Sequence, residues 1–131
     1  MADNAARNKA VIIEVLTSAF TKRDFTALEK WFAPEYIQHN PFIGGSRDGL
    51  RSYIEKLPEG RRYEPGMALA QGDLVMIHGR YTGSIKAPLI AVDIFRFEGD
   101  RVVEHWDVLQ DEVPVEKTAA GNPMFSTGEA S

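Results

Sequence analysis

The chain has 131 residues, 44% of them apolar and 26% charged, with 15 Lys and Arg against 19 Asp and Glu for a net charge of −4. That is ordinary composition for a single domain with one core, and a weakly acidic chain without a basic run is a poor candidate for nucleic acid or an anionic membrane. The absence of cysteine excludes disulfides, thiolate metal sites and cysteine nucleophiles, and leaves three histidines as the side chains that titrate near neutrality.

Met1 to Lys9 is polar, and no apolar run approaches the ~18 residues of a bilayer span. Neither a signal core nor a membrane segment is expected, and a cytoplasmic protein is. From Ala5 to Thr21 the apolar residues Val11, Ile12, Val15, Leu16, Ala19 and Phe20 fall at helical spacing, with Asp3 or Asn4 available as cap. A second helix is predicted from about Asp24 to Phe32, stopped by Pro34. Tyr36 to Asn40 reads as extended, and Ser46 caps a third helix from about Arg47 to Leu57. Pro58, Gly60 and Pro65 then break the chain.

From residue 66 the apolar period becomes two. Strands are predicted at Met67–Ala70, Leu74–Thr82, Leu89–Glu98 and Arg101–Gln110, with Gly72-Asp73 and Gly99-Asp100 as tight turns. The segment 113–131, rich in Pro and Gly, reads as a tail. Helices followed by hairpin strands make an α+β domain, a curved, mainly antiparallel sheet wrapped on about three helices into a cone, whose interior is a natural small-molecule pocket.

Strand alternation places candidate chemistry on one face. Asp93 shares a face with Phe95 and Phe97. A carboxylate between large apolar groups is a candidate general acid or hydrogen-bond donor, because burial disfavours its charged form; an exposed or ion-paired aspartate is the plainer alternative. His105 and Asp107 share a face with Val103 and Leu109, and a histidine beside a carboxylate is a usable acid/base pair, though also a common structural one. The hairpin brings Asp93 beside that pair. His39, at a strand–loop junction before Asn40-Pro41, is a further candidate, whereas His78 reads as a surface strand residue. Trp31, Tyr36, Phe42, Tyr53 and Trp106 could line a pocket or simply fill the core. No HExxH, GxSxG, GxxxxGK[ST] or GxGxxG pattern occurs, so neither a metal nor a nucleotide cofactor is expected.

Three stretches carry a resemblance: Phe32 to Pro41, Gly44 to Leu50, and above all Val92 to Val108. On these the chain resembles the SnoaL-like polyketide cyclases of the nuclear transport factor 2-like superfamily, in particular the subgroup predicted to catalyse aldol condensation, which Asn122 to Phe125 also matches. The resemblance implies a cone-shaped α+β barrel, often a homodimer through the sheet face, that uses acid/base side chains in an apolar pocket without metal or organic cofactor. Asp107 matches the aspartate that moves a proton during aldol closure in SnoaL-type cyclases. Asp93 matches the aspartate that donates to the dienolate oxygen in ketosteroid isomerase. Where that isomerase has its base, this chain has Asn40, which leaves His39 or Asp107 for the task.

The expected substrate is a small apolar carbonyl compound. Asp107 with His105 would take a proton, Asp93 with Asn40 or His39 would hold the enolate, and Trp31, Tyr36, Phe42, Tyr53 and Phe95 would contact the ligand. Aldol cyclisation, isomerisation and dehydration all fit. A non-catalytic small-molecule-binding module and a dimerisation module of the same fold are the alternatives.

Overall fold

The structure is a computed structural model and describes residues 4–84 and 86–127. Helix α1 (Ala5–Leu16) runs into a π-helical turn at Thr17–Thr21, followed by α2 (Thr26–Trp31), β1 (Phe32–Gln38), α3 (Ser46–Glu55), β2 (Arg62–Gln71), β3 (Leu74–Thr82), β4 (Leu89–Glu98) and β5 (Arg101–Asp111). The strands form one sheet in the order β1-β5-β4-β3-β2. Only β1 is parallel to its neighbour, β5; the other pairings are antiparallel. The helices cover one face of this sheet, as an α+β chain with one apolar stripe per helix requires. Among the described residues no helix is long and apolar enough to cross a membrane.

The apolar stripe of α1 and the π turn buries Val11, Ile12, Val15, Leu16, Ala19 and Phe20. Asn4 makes no side-chain cap bond, and Asp3 lies outside the described residues. The N-cap of α2 is Phe25, which makes no side-chain cap bond; Asp24, one residue earlier, accepts through Oδ1 from the Thr26 backbone N–H at 3.1 Å and from the Thr26 hydroxyl at 2.6 Å. The helix ends one residue earlier than predicted, because Phe32 already pairs with Val102 in the sheet. Pro34 therefore lies inside β1, and Pro65 inside β2, rather than ending a helix or a loop. Both are edge strands, where a missing N–H need not cost a ladder bond. Pro65 also borders a bulge, since register shifts between it and Ala68.

The tight turns form as expected, with φ of +59° at Gly72 and +61° at Gly99. The β4–β5 ladder then fixes the inner face. It pairs Asp93 with Asp107 and Phe95 with His105, and shifts register between Arg96 and Phe97. Because Arg96 pairs with Glu104 and Phe97 with Val102, Val103 is the extra residue of a bulge. Simple alternation put Val103 inward; Val102, fully buried, takes that place.

The tail crosses the outer side of the sheet. Phe125 stacks on His78 at 5.8 Å between centroids and comes within 2.7 Å of where a Cβ on Gly66 would sit. His78, expected on a bare strand surface, is thus half-covered.

Gly79 on β3 faces the Tyr63 ring, and a Cβ there would stand 2.3 Å from the phenol oxygen and 2.6 Å from two ring carbons. A buried ring has no room to retreat. Gly79→Ala should therefore cost about 1–3 kcal/mol, seen as a lower urea midpoint at unchanged slope.

Candidate active site

A cleft of about 580 Å³, counting its mouth, opens between the helices and the inner sheet face. Most of its wall is apolar: Val15, Leu16, Phe20, Leu28, Phe32, Ile43, Leu50, Leu89 and Phe95. Polar groups come from one end of the sheet (Gln38, Asn40, Asp93, His105 and Asp107) and from Tyr53, Tyr81 and Arg61. Asp93 is 2% and His105 6% exposed. Burial this deep requires hydrogen-bond partners, and each has them.

The hydrogen bonds can be oriented from the groups that have no choice. The Asn40 backbone N–H only donates, and it donates at 3.0 Å to Gln38 Oε1, which fixes that atom as the carbonyl oxygen. Gln38 Nε2 then donates to the Tyr36 hydroxyl at 2.7 Å. His105 Nδ1 lies 2.7 Å from the same Gln38 oxygen, so it carries a proton. His105 Nε2 lies 2.8 Å from Asp93 Oδ1, while the Tyr81 hydroxyl donates to Asp93 Oδ2 at 3.0 Å. With Nδ1 protonated, the contact between Nε2 and Asp93 holds one proton, resident either on the ring or on the carboxyl.

The same logic fixes Asp107. The Phe42 backbone N–H donates to Asn40 Oδ1 at 2.8 Å, so the other end of that amide is nitrogen. Asn40 Nδ2 donates to both Asp107 oxygens, at 2.8 and 3.0 Å. Burial pushes the Asp107 carboxyl above the usual aspartate range; the Asn40 bond and the His105 charge pull it back, and Asp93 adds to the rise. Asp107 stands 3.9 Å from His105 Nε2, too far for a hydrogen bond. The histidine is thus held by Asp93 and Gln38, and the Asp107 carboxylate by Asn40.

The structure brings together six of the residues singled out from the sequence: Asp93, His105, Asp107, Asn40, Phe95 and, on the wall, Tyr53. Others it places elsewhere. His39 does not line the cleft: its ring stacks on Trp106 at 5.0 Å and its Nε2 contacts Glu104 Oε2 at 2.8 Å. The reason is alternation, because β1 pairing continues through His39 and turns Gln38 inward and His39 outward. There His39 and Arg96 hold the Glu104 carboxyl below the usual range. Tyr36 is buried behind Gln38, and burial raises its hydroxyl well above the tyrosine range. Trp31 donates from Nε1 to Glu14 Oε2 at 3.1 Å, away from the cleft, and the Phe42 side chain is 81% exposed. Gln38, Tyr81 and Arg61 also line the cleft and are not among the sequence candidates. Gln38 and Tyr81 could be read from alternation with buried Tyr36 and with Val75 and Ile77; Arg61 lies in a loop where no period speaks.

Asp93, His105 and Asp107 are also the group that could hold a metal ion, with ligand atoms all within 4.8 Å of one another. Three ligands of this kind suit a divalent cation in charge, but a cation would have to displace the Asp93–His105 hydrogen bond and share Asp107 with Asn40.

Residues 13–105 match the SnoaL-like domain, and the chain belongs to that family. No curated protein matches it in sequence. Among solved structures, it is similar to TsrD from Streptomyces laurentii, at 18% identity and a TM-score of 0.67 over 79% of this chain and 88% of that one. A ketosteroid isomerase-like protein from Kribbella flavida DSM 17836 superposes at a TM-score of 0.72 and 12% identity, covering 86% and 84%. A SnoaL-like polyketide cyclase-type protein from Jannaschia sp. CCS1 superposes at 0.70 and 12%, covering 83% and 89%. These likenesses establish the fold, a curled, mainly antiparallel sheet with helices packed on it.

A carboxyl raised on folding makes stability depend on pH in a definite direction. The folded state gains from protonated Asp107 below the unfolded value, 3.8, and that gain is lost as pH rises through the raised folded value. Asp107→Asn removes the charge that must be held in the cleft. It should be more stable than the parent at pH 7, with the difference shrinking as pH falls through the raised folded value and gone below about 4 in thermal melts. A variant less stable than the parent at pH 7 would contradict the desolvation account.

Proposed function

We propose that the protein is an enzyme doing cofactor-independent acid/base chemistry on a small, largely apolar carbonyl compound, of the aldol-cyclisation, isomerisation or dehydration kind. The observation that carries this reading is the division of labour in the cleft: one carboxylate, Asp107, free of the histidine, beside a pair, Asp93 and His105, that shares a proton. Asp107, its basicity raised by burial, takes the proton α to the carbonyl. The negative charge that develops on the carbonyl oxygen meets the proton held between Asp93 and His105. Tyr81 and Gln38 fix that pair from outside, so little reorganisation is needed as charge moves. Asn40 orients Asp107 and stands where ketosteroid isomerase has its base, which favours cyclisation or dehydration over steroid isomerisation. Phe95, Tyr53 and the helical wall exclude water and supply the apolar contact area.

The test is deuterium exchange at the α carbon of a panel of cyclic ketones, followed by NMR in heavy water. Asp107→Asn should slow exchange at least about 100-fold for any ketone the parent processes. The parent rate should rise with pH as Asp107 ionises, with a midpoint above that of an ordinary aspartate. An Asp107→Asn variant that exchanges at the parent rate would mean that another group is the base.

We also propose that two chains associate through the outer face of the sheet. There Val92 pairs with Val108 and Ile94 with Trp106, an apolar stripe in which Val108 is 69% exposed. Light scattering should find a dimer in solution, and Val108→Glu should shift it to monomer.

A further inference from the structure

Arg61 stands out from every other arginine of the chain. Its residue is only 5% exposed, and it lines the cleft. Arg23 and Arg47 spend their guanidinium groups on backbone carbonyls, and Arg51, Arg80 and Arg96 on glutamates. Arg7 reaches Asn8 and Gly99, while Arg62 and Arg101 are exposed. Among the described residues nothing pairs with the charge of Arg61. Its Nε is buried with no acceptor, and the guanidinium lies 5.2 Å over the Tyr81 ring. An arginine this buried is ordinarily paired, because an uncompensated charge in an apolar wall is costly. A cation–π contact offsets only a fraction of that cost.

The backbone holds Arg61 there firmly. Gly83, at φ +85°, packs so closely on this loop that a Cβ would meet the Gly60 carbonyl oxygen at 2.0 Å and the Arg61 Cα at 2.9 Å. The Arg61 N–H donates to the Pro58 carbonyl at 3.0 Å. Tyr81 spans the interval to the acid cluster, with its ring under Arg61 and its hydroxyl on Asp93. The cleft therefore has a cation at one place, carboxylates at another, one tyrosine side chain between them, and apolar walls around.

We propose that Arg61 is a specificity determinant that binds a carboxylate on the ligand, so that the substrate is a keto acid with its carboxylate against Arg61 and its reacting carbonyl at Asp93, His105 and Asp107. A planar guanidinium with free N–H groups is suited to a carboxylate by its fork geometry. The placement of the reacting end rests on the catalytic reading; the placement of the carboxylate does not.

The experiment separates the two by measuring binding without turnover. Naphthoate and its uncharged isostere naphthamide are titrated into the protein by calorimetry. Naphthoate should bind at least about tenfold more tightly. In Arg61→Met that preference should fall to within about twofold, with naphthamide affinity kept, and Arg61→Lys should retain part of it. If Arg61→Met does not fold, the Nε–H resonance of Arg61 in the parent supplies the readout, which should move with naphthoate and stay still with naphthamide. Equal affinities, no binding of naphthoate, a preference that survives Arg61→Met, or an unmoved resonance each overturns the proposal. Absence of the calorimetric preference in the parent overturns the Arg61 assignment, and unchanged α-carbon exchange in Asp107→Asn overturns the catalytic reading, so the two fail separately.

Discussion

The cross-strand opposition of Asp93 and Asp107 is the constraint on which the rest of the site depends. Two carboxyl groups facing each other inside an apolar cleft repel if both are charged, and burial penalises each charge further. The surrounding residues manage that penalty. Asp93 is given a proton to share with His105 and a hydroxyl from Tyr81; Asp107 is given the amide of Asn40. Gln38 sits at the centre of the arrangement, because its one carbonyl oxygen receives both the Asn40 backbone and His105. Removing any of these donors shifts the burden to the next, which is how buried polar networks behave.

The sheet makes this possible with very few residues. β1 runs parallel to β5 at the edge, so Gln38 and Asn40 reach the cluster from a direction that a purely antiparallel meander would not offer. The bulge at Val103 also matters. It resets the face between the hairpin turn and the site, burying Val102 below while keeping His105 and Asp107 inward above.

Much of this was legible in the sequence. The amphipathic first helix, the two-residue hairpin turns and the alternation of β4 follow from periodicity and glycine placement, and the same alternation put Asp93, His105 and Asp107 on one face. What was not legible is instructive. Pro34 and Pro65 read as breakers because local chemistry does not say which strands are edges. A period-two pattern puts Val103 inward because a bulge leaves no mark in it. His39 drew attention through its residue type, while the backbone turned its neighbour Gln38 inward instead. Which carboxylate His105 would choose depended on the fit of three strands, and spacing along one strand could not supply it.

Tyr81 keeps two opposite needs apart. A guanidinium that reached Asp107 or Asp93 would form an internal salt, and a base locked in such a salt is no longer basic. With an aromatic ring as spacer, the cleft holds a guanidinium and buried carboxyl groups at once, the ring under Arg61 and its hydroxyl on Asp93. The length of one tyrosine then sets the interval between the cationic and the acidic end of the cleft.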